Sequence, residues 1–364
     1  TYFVENSTVR NTTTLEIDKK FKSGNILKLK QSLGLFDRVI TLPAYAFSGF
    51  NTNSFTDVSY LLKKKKHTII SGLNIVYDKF KHRNMRVVDA QTFTVGGYIQ
   101  DTWDVTKRVV LDNMNFKNAG YAKNQTFVLP RVSALFKISN KISSRIGGGL
   151  GYKTPTVFTE ETERLQDQKL QALNKVEAER SVGGTADINF KTKITGALTF
   201  SINQLFFYTG ISKPLVLSVD GFGNYSFSNA ARAVTSSGFE TNLKFIYKED
   251  LKLFVGYTFT HAKAGYLAGN QFLRLVPKNK LNLTLMYEKE NNFKLGLEGY
   301  FTDNQFLNSG TRTPSFWEFG FMAQKTFRKV SVFINFENFT DQRQSNYKTV
   351  ANAPHNNPSF DDIW

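Results

Sequence analysis

The residues able to carry chemistry in this 364-residue chain are few and scattered. Its four histidines are His67, His82, His261 and His355. None stands four residues from another with a Glu between, the spacing that puts two zinc ligands and a base on one helical face. No nucleophile elbow and no phosphate-cradling Gly-rich loop occurs, and Gly147-Gly148-Gly149-Leu150-Gly151 falls in a strand-like stretch where close backbone approach explains small residues. With no Cys, thiolate metal sites and disulfides are excluded. The acidic stretch holding Glu160, Glu161, Glu163 and Asp167 invites a cation, but acids opening a short helix first of all complement its dipole. What remains is a set of cations and rings in the longer connections: Tyr225, His261, Tyr266, Arg274, Phe306 and Arg312. Such residues suit an anionic ligand through charge and cation–π contact. The chain reads as a binding protein, not an enzyme, and no cofactor or resident metal is expected.

The elements that must position these residues show a period of two. Leu281, Leu283, Leu285 and Tyr287 alternate with Asn282, Thr284, Met286 and Glu288. Phe293, Leu295, Leu297 and Phe301 repeat the pattern, as do Trp317, Phe319 and Phe321, then Val330, Val332, Ile334 and Phe336. Successive side chains of a strand point to opposite faces, so each segment has one apolar and one polar side. Many segments run to about ten residues, the length a tilted strand needs to cross a bilayer, and about 16 of them are counted. The polar face would hold Arg145, Asn203, Glu240, Asn242, Lys244, Thr258, Glu298, Tyr300 and Glu318.

Connections alternate in length. Short polar ones are expected at 63–66, 106–108, 140–141, 191–193, 248–250, 288–292 and 328–329. Longer ones are expected at 78–90, 113–125, 153–177, 210–228, 263–279 and 303–314. Tight turns on one side and long loops on the other are the mark of an outer-membrane barrel. Trp103, Tyr152, Tyr208, Tyr247, Tyr257, Tyr287 and Trp317 fall near strand ends, where amphipathic rings favour the membrane interface. Residues 159–166 and 169–173 use helix formers, and a short helix is expected in that loop. The fold class is therefore all-β, an antiparallel transmembrane β-barrel.

Composition agrees once its traps are recognised. Mean hydropathy is −0.32, and no stretch approaches the roughly 18 apolar residues of a membrane helix, but alternation dilutes barrel strands below that test. The formal charge is +17 with pI about 9.7. Nucleic acid is a conceivable partner for such a chain, yet the only basic run is the four lysines at 63–66, in an expected turn, so none is expected. The start of the chain shows no charged segment followed by an apolar one, so a processed or partial chain is expected.

Seven segments, in order, resemble the barrel of TonB-dependent receptors. Val95-Gly96-Gly97-Tyr98-Ile99-Gln100-Asp101-Thr102-Trp103 resembles the strand ending in Gln-Asp-x-Trp, and Leu129-Pro130-Arg131-Val132 its Pro-Arg strand start. Gly149-Leu150-Gly151-Tyr152-Lys153-Thr154-Pro155 is similar to a Gly-Phe-Arg-Ala-Pro stretch, and Val176-Glu177-Ala178-Glu179-Arg180-Ser181 to a Glu-x-Ser strand entry. Asn229 to Arg232 with Gly238-Phe239-Glu240 resembles Asn-x-Gly followed by Gly-x-Glu. Pro277-Lys278-Asn279-Lys280-Leu281 and Asn335-Phe336-Glu337-Asn338-Phe339-Thr340-Asp341 complete the set.

The resemblance implies about 16 of the family's 22 strands in this chain, with 1–364 forming a partial barrel and the plug domain and last strand outside it. It implies active uptake of a scarce nutrient, an iron–siderophore-type chelate foremost, across the outer membrane of a Gram-negative-type bacterium. Energy would come from the TonB–ExbB–ExbD complex through the plug region. Outer-membrane lipid and lipopolysaccharide are the surroundings it implies. By position, Arg131, Tyr152, Lys153, Glu179 and Arg180 match residues that face the plug. No Asn-Pro-x-Leu follows Pro155, which speaks against haem, and a rim hydrolase built on His261 lacks its partners. A passive porin-like or adhesion barrel and a soluble β module for polyanions are the alternatives.

Overall fold

The computed structural model describes residues 3–83, 88–102, 121–354, 358–360 and 362, together with the backbone of 105–118. Trp103 and His355 lie outside the described residues. The strands are β1 (Glu5–Lys20), β2 (Ile26–Leu42), β3 (Tyr45–Lys64), β4 (His67–His82), β5 (Ala90–Thr102), β6 (Val105–Asn118), β7 (Tyr121–Lys137), β8 (Ile142–Lys153), β9 (Glu179–Lys193) and β10 (Leu198–Ser212). They continue as β11 (Leu215–Val219), β12 (Tyr225–Asn229), β13 (Val234–Tyr247), β14 (Leu251–Ala264), β15 (Asn279–Lys289), β16 (Phe293–Thr302), β17 (Phe316–Phe327) and β18 (Val330–Phe336). Sixteen of them form one sheet in which every neighbour in sequence is a neighbour in space, with β11 and β12 set aside as a separate hairpin. All pairings are antiparallel, so the architecture is a pure meander, its outer members β1 and β18 each paired on one side among the described residues.

Register explains the two faces. Leu285, Leu297 and Phe321 lie side by side across β15, β16 and β17, and Asn282, Tyr300 and Glu318 form a parallel row on the other face. Leu297 is 49% exposed and Leu285 42%, and Val182, Val128 and Leu73 are similarly bare. A continuous apolar band of this kind has no partner in water, but it is what hydrocarbon covers. The predicted polar-face residues keep their register: Asn203 opposes Asn242, and Glu240 opposes Thr258.

The connections depart from the predicted alternation in an informative way. Turns at 65–66, 138–141, 194–197, 248–250, 290–292 and 328–329 define one end. Residues 106–108 and 191–193, expected as turns, are instead strand, because the ladder runs three residues further before or after the chain reverses. At the opposite end, the long connection expected at 113–125 does not exist. β6 and β7 continue their pairing to Asn118 and Tyr121. Likewise β2 and β3 are joined only through Pro43 and Ala44, and β3 reaches 20 residues. There, backbone hydrogen bonds replace the loop, and the strands project past any membrane band.

The buried cluster of the protein sits at this outer end, under residues 154–178. Ile40, Leu42, Phe47 and Phe80 from β2, β3 and β4 meet Val157, Leu170, Leu173 and Val176 from that connection and Phe227 from the β11–β12 hairpin. Phe158 packs edge-on against Phe80 at 4.5 Å between ring centres. Tyr45 donates to the Asp167 carbonyl at 3.0 Å, and Tyr121 to the Val176 carbonyl at 2.7 Å. The connection is thus strapped across the strand ends. It contains the helix α1 (Glu160–Arg164), started by Thr159, whose hydroxyl accepts from the Thr162 amide while Thr162 reciprocates on the Thr159 amide. Residues 169–173, also expected as helix, form none: Leu170 makes a parallel bridge with Tyr225, and Leu170 and Leu173 serve as apolar anchors in the cluster. Burial of two leucines overrides their helix propensity.

Candidate functional site

At the outer end, residues 265–278 and 303–315 fold against each other. The first reverses onto its own strand, with the Ala264 amide donating to Gln271 and the Leu273 amide to Ala262. The second closes on a bridge between Phe306 and Arg312, flanked by buried Gln305 and Thr313, which exchange backbone and hydroxyl hydrogen bonds of 2.9 Å. The two connections are stitched by the Leu275 amide, which donates to the Phe306 carbonyl at 2.9 Å.

This folding assembles a stack. His261, near the top of β14, meets Phe272 edge-on at 5.5 Å. Phe272 lies parallel to Phe306, 5.6 Å away with 4° between the planes. The guanidinium carbons of Arg312 and Arg274 sit 4.5 Å and 5.9 Å from the centre of the Phe306 ring. Four of the six residues expected to contact ligand, His261, Arg274, Phe306 and Arg312, are therefore brought together from three segments of chain. Phe272 was missed: a lone ring two residues before an arginine carries no signal until the loop folds.

Tyr266 borders this group. Burial pushes its hydroxyl up, Glu161 and Glu179 push the same way, and Arg274 opposes them. The phenol is thus held protonated as a neutral donor between an acidic and a basic neighbour. Tyr225 stands apart. Its amide and carbonyl are bonded to Lys169 and Gln171, and its ring packs on the buried cluster, so it acts as a clip for the strap.

The five residues expected to face a plug sit close together on β7, β8 and β9. Lys153 and Glu179 oppose each other, as do Tyr152 and Arg180, one position along. Alternation puts Tyr152 and Arg180 on the face of the exposed Leu150 and Val182. Both nevertheless engage Phe127 of the buried cluster: Tyr152 stacks on it at 4.0 Å with 4° between planes, and the Arg180 guanidinium lies 5.4 Å from the same ring centre. Arg131 pairs with Gly149 on the other face. Glu179 is committed to the fold, accepting from the Leu215 amide at 2.6 Å.

Charges on the strap are engaged as well. Glu163 pairs with Arg38 at 3.0 Å, and Arg164 with Asp362, a carboxylate that also accepts from the Asn308 amide and side chain at 2.6 and 2.8 Å. Glu177 lies between Lys123 and Lys213, which hold its carboxyl below the usual range. Asp167 is 3% exposed, and burial pushes its carboxyl up to about 6, against the opposing pull of Arg38 and Thr162. No group of three or more His, Cys, Asp or Glu is placed to hold a metal among the described residues.

The chain is therefore a sixteen-strand meander with an apolar outer band, tight turns at one end and a strapped, aromatic rim at the other. Residues 4–339 match the family described as TonB dependent receptor-like, beta-barrel. The chain belongs to that family. Its members are transport receptors rather than enzymes, and their barrels are outer-membrane proteins. Solved structures agree on the fold. The copper transporter OprC has a TM-score of 0.76 at 12% identity, with 93% of this chain and 60% of that one covered. The FrpB iron transporter from Neisseria meningitidis (F3-3 variant) gives 0.74 at 13%, covering 93% and 59%. The ferric yersiniabactin uptake receptor FyuA from Yersinia pestis gives 0.69 at 12%, covering 94% and 57%. This receptor barrel thus spans about 60% of the length of the structures it resembles. Among curated proteins, none matches the sequence.

Proposed function

We propose that this chain supplies sixteen strands to the barrel of an outer-membrane receptor that takes up a scarce nutrient, an iron–siderophore-type chelate, driven by TonB–ExbB–ExbD acting through a plug region separate from residues 1–364. The observation that carries the reading is the stack of His261, Phe272 and Phe306 capped by Arg274 and Arg312 at the long-loop end. An anionic, ring-bearing chelate offers both charge for the guanidinium groups and a π face for the rings. Two of the structural neighbours, FyuA and FrpB, are described as iron or ferric-chelate uptake proteins, which supports the same ligand class. The face carrying Lys153, Glu179 and Arg131 suits contact with a plug.

The test uses the intact receptor that contains this chain. Alanine at Arg274, Tyr266 and Arg312 together removes two cations and a donor. At about 1 to 2 kcal/mol for each partly desolvated cation, affinity for a ferric chelate should fall roughly 100-fold. Uptake in cells should also stop when the proton gradient is collapsed. Undiminished binding by the triple variant would remove this site from consideration, and gradient-independent uptake would favour a passive barrel.

A further inference from the structure

The tight-turn end of the sheet carries cations that uptake does not use. Lys63, Lys64, Lys65 and Lys66 fill the reversal between β3 and β4, and Arg328 and Lys329 form the whole turn between β17 and β18. Lys141 and Lys248 sit in the turns before β8 and β14. Among the described residues none of these has an acidic partner. Of the acids at this end, Glu288 lies between Lys252 and Lys294, at 2.9 and 2.8 Å, and Asp101 pairs with His67 at 2.8 Å, while Glu249, Asp250 and Glu290 stand in the turns beside the cations. At the long-loop end the connection 154–178 instead holds five acids against three bases.

Lys65, Lys248 and Arg328 have φ of 51°, 50° and 52°. That left-handed region costs a residue with a β-carbon about 1 kcal/mol and is where glycine or asparagine ordinarily sits. Lys65, Lys248 and Arg328 stand there at three turns, as Glu249 does beside Lys248 and as Lys169, Lys175 and Lys213 do at the opposite end. The cations also lie directly beyond an aromatic layer. Tyr247 and Tyr287 flank Leu251 in register, Lys248 places its ammonium 5.4 Å from the Tyr247 ring centre, and Lys325 lies 5.9 Å from that of Phe327. Aromatic rings settle at the level of lipid headgroups, so the ammonium groups stand at the height of the phosphates.

We propose that the tight-turn end is a docking collar for anionic phospholipid, a surface of phosphatidylglycerol-type headgroups in the leaflet it meets. This rests on the reading of the chain as an outer-membrane barrel whose tight turns face the periplasm. Each unpaired Lys or Arg offers a phosphate one point charge, and the ring of turns presents them to successive lipids around the circumference.

The test reconstitutes the intact receptor in phosphatidylcholine vesicles doped with phosphatidylglycerol and measures, with spin-labelled lipids, the association of each lipid relative to the other. Wild type should prefer phosphatidylglycerol several-fold. The turn variant Lys64→Gln, Lys65→Asn, Lys66→Gln, Arg328→Asn, Lys329→Gln should lower that preference about fivefold, toward parity, because one basic residue near an anionic surface is worth a factor of that order. Asn tolerates the left-handed turn positions, so folding is preserved. Lys175→Gln, Lys213→Gln and Lys263→Gln at the other end should leave the preference unchanged. An unaltered preference in the turn variant, or an equal fall in both variants, overturns the collar. So does a turn variant that loses heparin binding in detergent while keeping its lipid preference, since the partner is then a soluble polyanion. Release of the wild-type protein from vesicles by alkaline carbonate would instead refute the membrane-spanning reading itself, whatever the lipid ratio.

Discussion

Replacing Asp167 by Asn should tighten the strap over the strand ends, and the gain should depend on pH. Asp167 lies in the connection between β8 and β9, 3% exposed, with φ of 56°. Burial lifts its carboxyl from an ordinary 3.8 to about 6. A carboxyl whose folded value is raised is favoured by folding only while protonated. Its stabilising contribution is complete below the unfolded value and is lost as pH rises through the folded one. The shift corresponds to about 3 kcal/mol withheld from the closed strap above pH 7. Asn is neutral, nearly isosteric and at home at positive φ, so it removes the penalty without straining the turn. Hydrogen exchange on residues 154–178 of the intact receptor reads this directly. At pH 8 the variant should open roughly 100-fold less often than wild type. Near pH 5 the difference should fall to about half in free energy, and below pH 4 it should nearly vanish. Equal exchange at pH 8, or faster exchange in the variant, would refute the assignment of Asp167 as a buried, reluctantly ionised group.

Two further substitutions probe other parts of the fold. Arg164→Ala strips Asp362 of its cation and leaves a buried carboxylate with Asn308 alone, at a cost of about 3 kcal/mol, so residues 154–178 and 303–315 should loosen together in hydrogen exchange. Adding Asp362→Asn to that variant should restore most of the loss. Gly238→Ala would drive a methyl group into the Phe259 carbonyl of β14 and the Phe207 ring, costing about 3 kcal/mol or more and removing the folded, heat-modifiable gel band, whereas Gly296→Ala meets only Met322 at 3.8 Å and should be tolerated.

Alternation made the strands legible because each side chain reports its own face. Leu285, Leu297 and Phe321 could be assigned to one side with no knowledge of their neighbours, and register then joined them. Tight turns at 248–250 and 328–329 were legible for the same local reason. The end of β6 was not. Residues 113–125 hold asparagines and a glycine, which read as loop, but pairing with the next strand satisfies their backbone and outweighs propensity. The rim residues were legible as types only. Arg274, Phe306 and Arg312 belong together because Leu275 donates to the Phe306 carbonyl and Arg312 faces Phe306 across a bridge, both long-range facts. The place of Tyr225 was hidden on the same ground, since this loop tyrosine is bound into the strap by its own backbone. Asp362 gave no signal at all, its partners being 54 residues back at Asn308 and far earlier at Arg164.

The unequal strands have a consequence for approach from outside. β3 is 20 residues long and β16 only 10. At about 3.4 Å per residue and a tilt near 40°, these rise roughly 50 Å and 25 Å along the membrane normal. The shorter is barely the height of the apolar band, so on this side the rim is made of the connections 265–278 and 303–315 and not of strand. The aromatic and arginine stack is carried by those connections, beside β14 to β17. The β2–β3 hairpin, by contrast, builds its part of the rim from paired strand, closed by Pro43 and Ala44 alone.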